Sequence, residues 1–217
     1  MCKVYFARSG QKFVASGWIV QGNTGIKGII TAGHVVYSQG AWSDDYVVRR
    51  CYSDGSWAEE FRGRDARTLQ GWIEGGGLRE FWDLGAIIPD VPIPDSTPSL
   101  PIVAGYNPSV PEFGFFYDTG YPAIPANGFP FNGEYLWESD GPLIEAHFHG
   151  NQIALQAYNA MEHGSSGSPW LVYDPTNNVY WAAGLQSSGW NGTPASYSPY
   201  FEQRNILVLL HDIGVIR

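Results

Sequence analysis

The sequence predicts an all-β protein of two strand-built lobes closed by a single C-terminal helix. Three observations carry that prediction. The 217 residues include 27 Gly, 15 Pro and 15% aromatics, a mixture that suits short strands joined by turns better than a helical bundle. Apolar, β-rich runs recur along the chain between turn signals. Only near the end does the apolar spacing change to that of a helix.

The elements follow in order. Lys12–Val20 is apolar and β-rich, and the turn residues Gly22-Asn23-Thr24-Gly25 lead into Lys27–Thr31. Tyr46–Cys51 and Asp83–Ile88 are further strands of the first lobe. Residues 53–80 carry many charges and read as a strand or two with a long surface loop containing Gly75-Gly76-Gly77. Residues 89–101 hold five of the 15 prolines. Proline fixes φ and removes a ladder donor, so this stretch is predicted to be the crossing between lobes. The boundary is placed there, with lobes over residues 1–95 and 96–217.

Strands of the second lobe are expected at Leu100–Ala104, Gly114–Tyr117, Leu143–His149, Ile153–Tyr158, Pro169–Tyr173 and Val179–Leu185. From Glu202 to Ile213, the residues Ile206, Leu207, Leu209, Leu210 and Ile213 fit one helical face, predicted to pack on the second lobe. No internal repeat is visible.

Composition narrows the partners. The net charge is −9, which argues against nucleic acid or an anionic membrane, since phosphate binding needs clustered Lys and Arg. The pair Arg49-Arg50 reads as a solvated strand edge. No apolar stretch approaches the ~20 residues that span a bilayer. Charge interrupts the first residues too early for a leader's apolar region. The chain is therefore expected either inside the cell or, as the favoured reading, secreted with its leader removed. Cys2 and Cys51 are too few for a disulfide framework and match no zinc spacing, and a single bridge between them stays open.

Three segments carry chemistry. Thr31-Ala32-Gly33-His34-Val35-Val36 sets a histidine just after a buried strand, where an imidazole can shuttle protons near neutrality. Asp83 opens the apolar run Trp82–Ile88, and a buried carboxylate needs a partner. Pairing with the His34 ring N–H would supply one and fix the tautomer. In Gly164-Ser165-Ser166-Gly167-Ser168-Pro169, the glycines permit a tight turn aiming consecutive amides at one point. The strand-like Pro169–Tyr173 follows at once, which a flexible linker would not show.

Taken in order, these segments resemble the chymotrypsin-like (trypsin-like) serine peptidases, whose triad runs His, Asp, Ser along the chain. Thr119-Gly120-Tyr121-Pro122 and Ser168 are similar to the glutamyl endopeptidase-like bacterial and fungal branch. The resemblance implies two orthogonal six-stranded antiparallel β-barrels with the site in the cleft between them. It implies a cofactor-free, metal-free serine endopeptidase acting as a monomer on peptides or proteins. His34 would be the base, Asp83 its orienter, Ser166 the nucleophile, and the amides of Gly164 and Ser166 the oxyanion hole. Two other readings remain: a silent trypsin-fold peptide-binding module, and a protease domain of a larger polyprotein or signalling protein.

The resemblance also maps a specificity pocket. One wall would be Ala160, Met161, Glu162 and His163, and the other Gln186, Ser187, Ser188 and Gly189. Ser187 would also bond Asp83, and the 187–189 backbone would pair with substrate as an added strand. Ser165 stands where animal relatives carry the aspartate that pairs with a newly cut amino terminus, so no such activation is expected. Ala160 replaces the acidic pocket base of trypsin-type enzymes, and Gln186 the histidine of glutamyl endopeptidases. A neutral pocket for a medium-sized apolar or polar side chain is therefore expected, with His163 near its mouth. Asn191-Gly192-Thr193 matches a glycosylation sequon.

Overall fold

In a computed structural model, residues 1–107, 114–189 and 193–217 are described; Asn191 and Gly192 of the sequon lie outside them. The first lobe is a closed antiparallel barrel. Its strands are β1 (Cys2–Arg8), β2 (Gln11–Gln21), β3 (Lys27–Thr31), β6 (Asp44–Arg50), β7 (Glu59–Thr68) and β8 (Gly85–Pro89). They close in the order β1-β2-β3-β8-β7-β6. A one-turn helix α1 (Gly33–Val36) and the small hairpin β4 (Tyr37–Ser38) and β5 (Ala41–Trp42) stand between β3 and β6. β1 turns into β2 through Ser9 and Gly10, both at positive φ (50° and 77°). That is the hairpin geometry whose twist matches the strands. Inside, Val4, Trp18, Ile29, Ile30, Val48 and Ile87 are buried as one apolar core.

Two short helices, α2 (Gln70–Glu74) and α3 (Arg79–Trp82), occupy much of the expected surface loop. Neither has a side-chain cap on its first turn, so tertiary contacts hold them. Trp72 donates its indole N–H to Tyr37 O (2.7 Å), and Phe81 is completely buried.

The proline-rich crossing is pinned to the first barrel. The buried Lys27 ammonium donates to the carbonyls of Pro94, Asp95 and Thr97 at 2.8, 2.9 and 2.6 Å. The expected strand Leu100–Ala104 is not formed. Only Ile102 makes an isolated parallel bridge, to Ala182, because the flanking prolines interrupt a ladder.

The second lobe is built from β9 (Phe115–Gly120), β10 (Trp137–His149), β11 (Gln152–Tyr158), β12 (Pro169–Asp174), β13 (Val179–Leu185), β14 (Ser188–Gly189) and β15 (Ala195–Pro199). They form one seven-stranded sheet ordered β13-β12-β9-β10-β11-β15-β14, which the ladder does not close into a second barrel. Across the gap, Ser198 Oγ accepts from the Leu185 amide (2.8 Å), and the Ser187 amide donates to Tyr197 O (2.9 Å). Side chain and loop contacts thus stand in for the missing ladder.

The C-terminal segment starts as a π turn at Gln203–Leu207 and continues as α4 (Val208–Asp212). The predicted face is present, but it meets the other lobe. Ile206, Leu209, Leu210 and Val215 join the core of the first barrel. Thr24, in the β2–β3 turn, donates its hydroxyl to Gly214 O and Val215 O, both at 2.8 Å. Spacing specifies that a face is apolar, not which surface covers it. No described helix is long and apolar enough to cross a membrane. Both cysteines are free thiols, Cys2 buried and Cys51 exposed.

Candidate active site

The site lies where the two lobes meet. His34 is carried by α1, which follows β3 directly. That single turn has carbonyls with no helical acceptor role, and Arg8 satisfies them: Nη2 donates to His34 O (2.6 Å) and Val35 O (3.0 Å). Ser43 Oγ adds a bond to Val35 O (2.7 Å). The backbone under the imidazole is therefore held from β1 and from the loop before β6.

Asp83 sits at the carboxyl end of α3, two residues before β8 rather than at the strand's head. Its φ and ψ of −75° and 59°, with Leu84 N donating to Trp82 O at 2.7 Å, make an inverse γ-turn. The carboxylate is 2% exposed and fully engaged. Oδ1 accepts the His34 amide (2.7 Å), while Oδ2 bonds His34 Nδ1 (2.8 Å) and accepts the Ser187 hydroxyl (2.5 Å). The approach is tight at Gly33: a Cβ there would stand 3.0 Å from Asp83 Oδ1, Leu84 N and Thr68 Oγ1 alike.

Ser166 lies in a loop stitched to the first barrel. Ser16 donates its amide to Ser166 O (2.9 Å) and its hydroxyl to Gly164 O (2.9 Å). Gly164 and Gly167 hold φ of 98° and 84°, a region costly to other residues. A Cβ on either would come within 2.6 Å of backbone oxygen from Tyr121 or Ser16. Among the described residues the amides of Gly164 and Ser166 have no acceptor, so both remain donors at the loop's mouth. Ser165 is buried and turns its hydroxyl onto Glu162 O (2.5 Å).

Two clefts meet at the centre of the site. One, about 390 Å³, is lined by residues including His34, Trp72, Asp83, Ser166 and Gln186. The other, about 580 Å³, is more apolar and includes Phe6, Phe13, Ala123 and Ile124. His34, His163 and Ser166 line both. The His34 ring, 30% exposed, makes no direct hydrogen bond to Ser166 among the described residues.

The expected pocket residues divide. Glu162, His163, Gln186, Ser187 and Ser188 line the smaller cleft, whereas Ala160, Met161 and Gly189 do not. Asn127 Nδ2 holds Ala160 O (3.0 Å) and Asn159 Oδ1 accepts the Met161 amide (2.8 Å), which keeps both residues buried. Gly189 lies with Ser188 on β14, an exposed strand at the sheet's edge that pairs with β15 alone.

Behind this wall lies a polar cluster that the sequence did not announce. Asp118, on β9, is buried and accepts Ser168 Oγ (2.5 Å) and Asn159 Nδ2 (2.5 Å). Burial pushes its carboxyl up to about 7, against the lowering effect of those donors. Asn159, Gln186 and Trp170 continue the cluster. The one signal in the sequence was Ser168 beside the glycine-rich loop. Among the described residues, no group of three or more His, Cys, Asp or Glu is placed to hold a metal ion.

The fold is that of the trypsin-like serine proteases. Protease Anisep from Arthrobacter nicotinovorans superposes with a TM-score of 0.78 at 20% identity, over 98% of this chain and 94% of that one. The thermostable serine protease AL20 from an extremophilic microorganism gives 0.75 at 22% identity, over 94% and 91%. A Glu endopeptidase in complex with MPD gives 0.73 at 18% identity, over 98% and 90%. The chain has the trypsin-like fold. No protein-family model matches it, and no curated protein matches it by sequence.

Proposed function

We propose that the chain is a serine endopeptidase in which Ser166 is the nucleophile, His34 the general base and Asp83 its orienter. The observation that supports this best is the double grip of Asp83 on His34, at 2.7 Å to the amide and 2.8 Å to Nδ1. A carboxylate only accepts, so Nδ1 carries the proton and Nε2 is left with a lone pair. That is the tautomer a base needs, and it faces the cleft that Ser166 also lines.

Ser166 Oγ adds to the carbonyl carbon of the scissile bond as its proton passes to His34 Nε2, and Asp83 stabilises the resulting imidazolium. The carbonyl oxygen becomes an oxyanion and takes the unpaired amides of Gly164 and Ser166, each worth about 2.7–4 kcal/mol. Collapse expels the amine, which takes the proton from His34, and leaves an ester on Ser166. Water then repeats the sequence and frees the acid. The edge strand Ser188–Gly189 offers open backbone groups for an extended peptide. The lobe boundary near residues 95 and 96 belongs to this proposal, since His34 and Asp83 fall on one side of it and Ser166 on the other.

The test is hydrolysis of an unstructured protein such as casein by the purified chain and by Ser166→Ala. Cleavage within the chain that the variant loses is expected. Binding of peptides without cleavage by either protein would replace the enzyme with a silent binding module.

A further inference from the structure

We infer that Asp118, acting through Asn159, positions the Gln186 amide so that the smaller cleft selects a neutral substrate side chain carrying a carbonyl oxygen, glutamine above all. The inference rests on the peptidase reading and assigns the residue whose carbonyl is cut.

The chain of bonds leaves no freedom of orientation. Trp170 Nε1 lies 3.2 Å from the Gln186 amide, and an indole N–H only donates. The atom facing it must therefore be Gln186 Oε1. Asn159 Nδ2 donates to the same oxygen (3.0 Å) and to Asp118 Oδ2 (2.5 Å), while its Oδ1 accepts the Met161 amide (2.8 Å). Asp118 is thus the acceptor that fixes which way Asn159 faces, and Ser168 completes it from the other side (2.5 Å). Gln186 Nε2 is left pointing at Ser196 Oγ (2.8 Å). One of its two protons serves that bond and the second is available.

Of Asp118, Asn159, Ser168, Trp170, Ser196 and Gln186, only Gln186 lines the cleft. In the inferred arrangement its second N–H faces the cleft, with both acceptor positions of its oxygen already taken. A buried donor with no acceptor is costly, so a substrate offering an oxygen is favoured over an apolar isostere. Charge decides between amide and carboxylate. None of the side chains bonded to Gln186 is cationic, and the nearest ionisable group along the chain of bonds is the Asp118 carboxyl. On the cleft itself Arg79 and His163 are offset by Glu80, Asp83 and Glu162, so a substrate carboxylate would find no net positive lining.

The experiment compares kcat/KM for fluorogenic peptides that differ only in Gln, Met or Glu before the scissile bond. Gln is expected to exceed Met by about tenfold or more, with Glu below Gln. In Asp118→Ala the Gln-to-Met ratio should fall several-fold, carried by KM on the Gln peptide. Asp118→Asn keeps an acceptor toward Asn159 and should restore it. Gln186→Met should bring the ratio near one. Since that change strands Trp170 and Asn159, Gln186→Glu serves as a second variant. It keeps the acceptor they need and replaces the N–H with a carboxylate oxygen, so the Gln-to-Glu ratio must rise. A wild-type Gln-to-Met ratio at or below one, a Gln-to-Met ratio unchanged in both Asp118→Ala and Gln186→Met, or a Gln-to-Glu ratio that does not rise in Gln186→Glu overturns the inference. Absence of both peptide cleavage and a fluorophosphonate adduct on Ser166 would instead sink the peptidase reading beneath it.

Discussion

The two lobes solve burial differently. The first is a closed barrel around an apolar core that also takes in Ile206, Leu209 and Leu210 from the far end of the chain. The second is an open sheet with a smaller apolar cluster around Phe116, Leu155 and Trp170, beside buried polar groups including Asp118, Asn159, Gln186, Ser168 and Ser196. A closed apolar barrel gives rigidity to whatever is mounted on it, and His34 and Asp83 are mounted there. A polar interior instead fixes hydrogen-bond direction, which suits a wall that must discriminate among side chains. In the proposed function chemistry and selection are divided between the lobes, and Ser166 stands at the seam, tied to the first lobe by Ser16.

Changes at the seam should have the largest effect. Ser166→Ala or His34→Ala is expected to lower kcat by about 10⁶, and Asp83→Asn by about 10⁴ through the wrong tautomer. Steady-state kinetics on one peptide measures all three, and thermal melts should show the fold retained. Losses below tenfold would place the chemistry elsewhere.

Next comes the apolar side of the comparison. Leu209 is fully buried and packs on the first barrel, so Leu209→Ala should cost about 2–5 kcal/mol in denaturant unfolding. A cost under about 0.5 kcal/mol would show that the C-terminal segment is not part of that core.

The polar side is sharpened by pH. Burial raises Asp118 to about 7, while an unfolded carboxyl titrates near ~3.9. Between those values the folded chain binds the extra proton. The contribution of Asp118 is therefore full below the unfolded value and lost as pH rises through about 7. Asp118→Asn has no charge to bury, so its Tm relative to wild type should climb between pH 5 and pH 8. A difference independent of pH contradicts a raised Asp118. The smallest effect belongs to the surface: the partly exposed Arg49–Glu60 pair on the first barrel should lose less than about 1 kcal/mol in Glu60→Gln.

What the sequence revealed follows the same division. The candidates His34, Asp83 and Ser166 stood out in the sequence because each sits in a local run whose glycines or apolar neighbours have a backbone reason to be there. Gly33, for instance, packs so closely on Asp83 that a Cβ there would stand 3.0 Å from its Oδ1. Asp118 was not legible, since its partners at 159 and 168 are distant in sequence and meet only in the folded sheet. β1 is not legible as a strand, since Lys3 and Arg8 break its apolar run. Yet Val4 and Phe6 are buried while Tyr5 between them is half-buried. The helices flanking residues 75–78 carried no N-terminal capping side chain to read, and the left-handed Gly75 that ends the first of them reads equally as part of a loop. The C-terminal face was visible, but its partner, the turn around Thr24, could be found only in three dimensions.

The central claim is that His34 activates Ser166. It is tested most directly by treating native wild-type chain and His34→Ala with a fluorophosphonate and locating the adduct by peptide mass spectrometry. The account predicts one adduct, on Ser166, in the wild type and at most slow labelling in the variant. A folded wild-type chain with no adduct on Ser166, or equal labelling rates in both proteins, would contradict it.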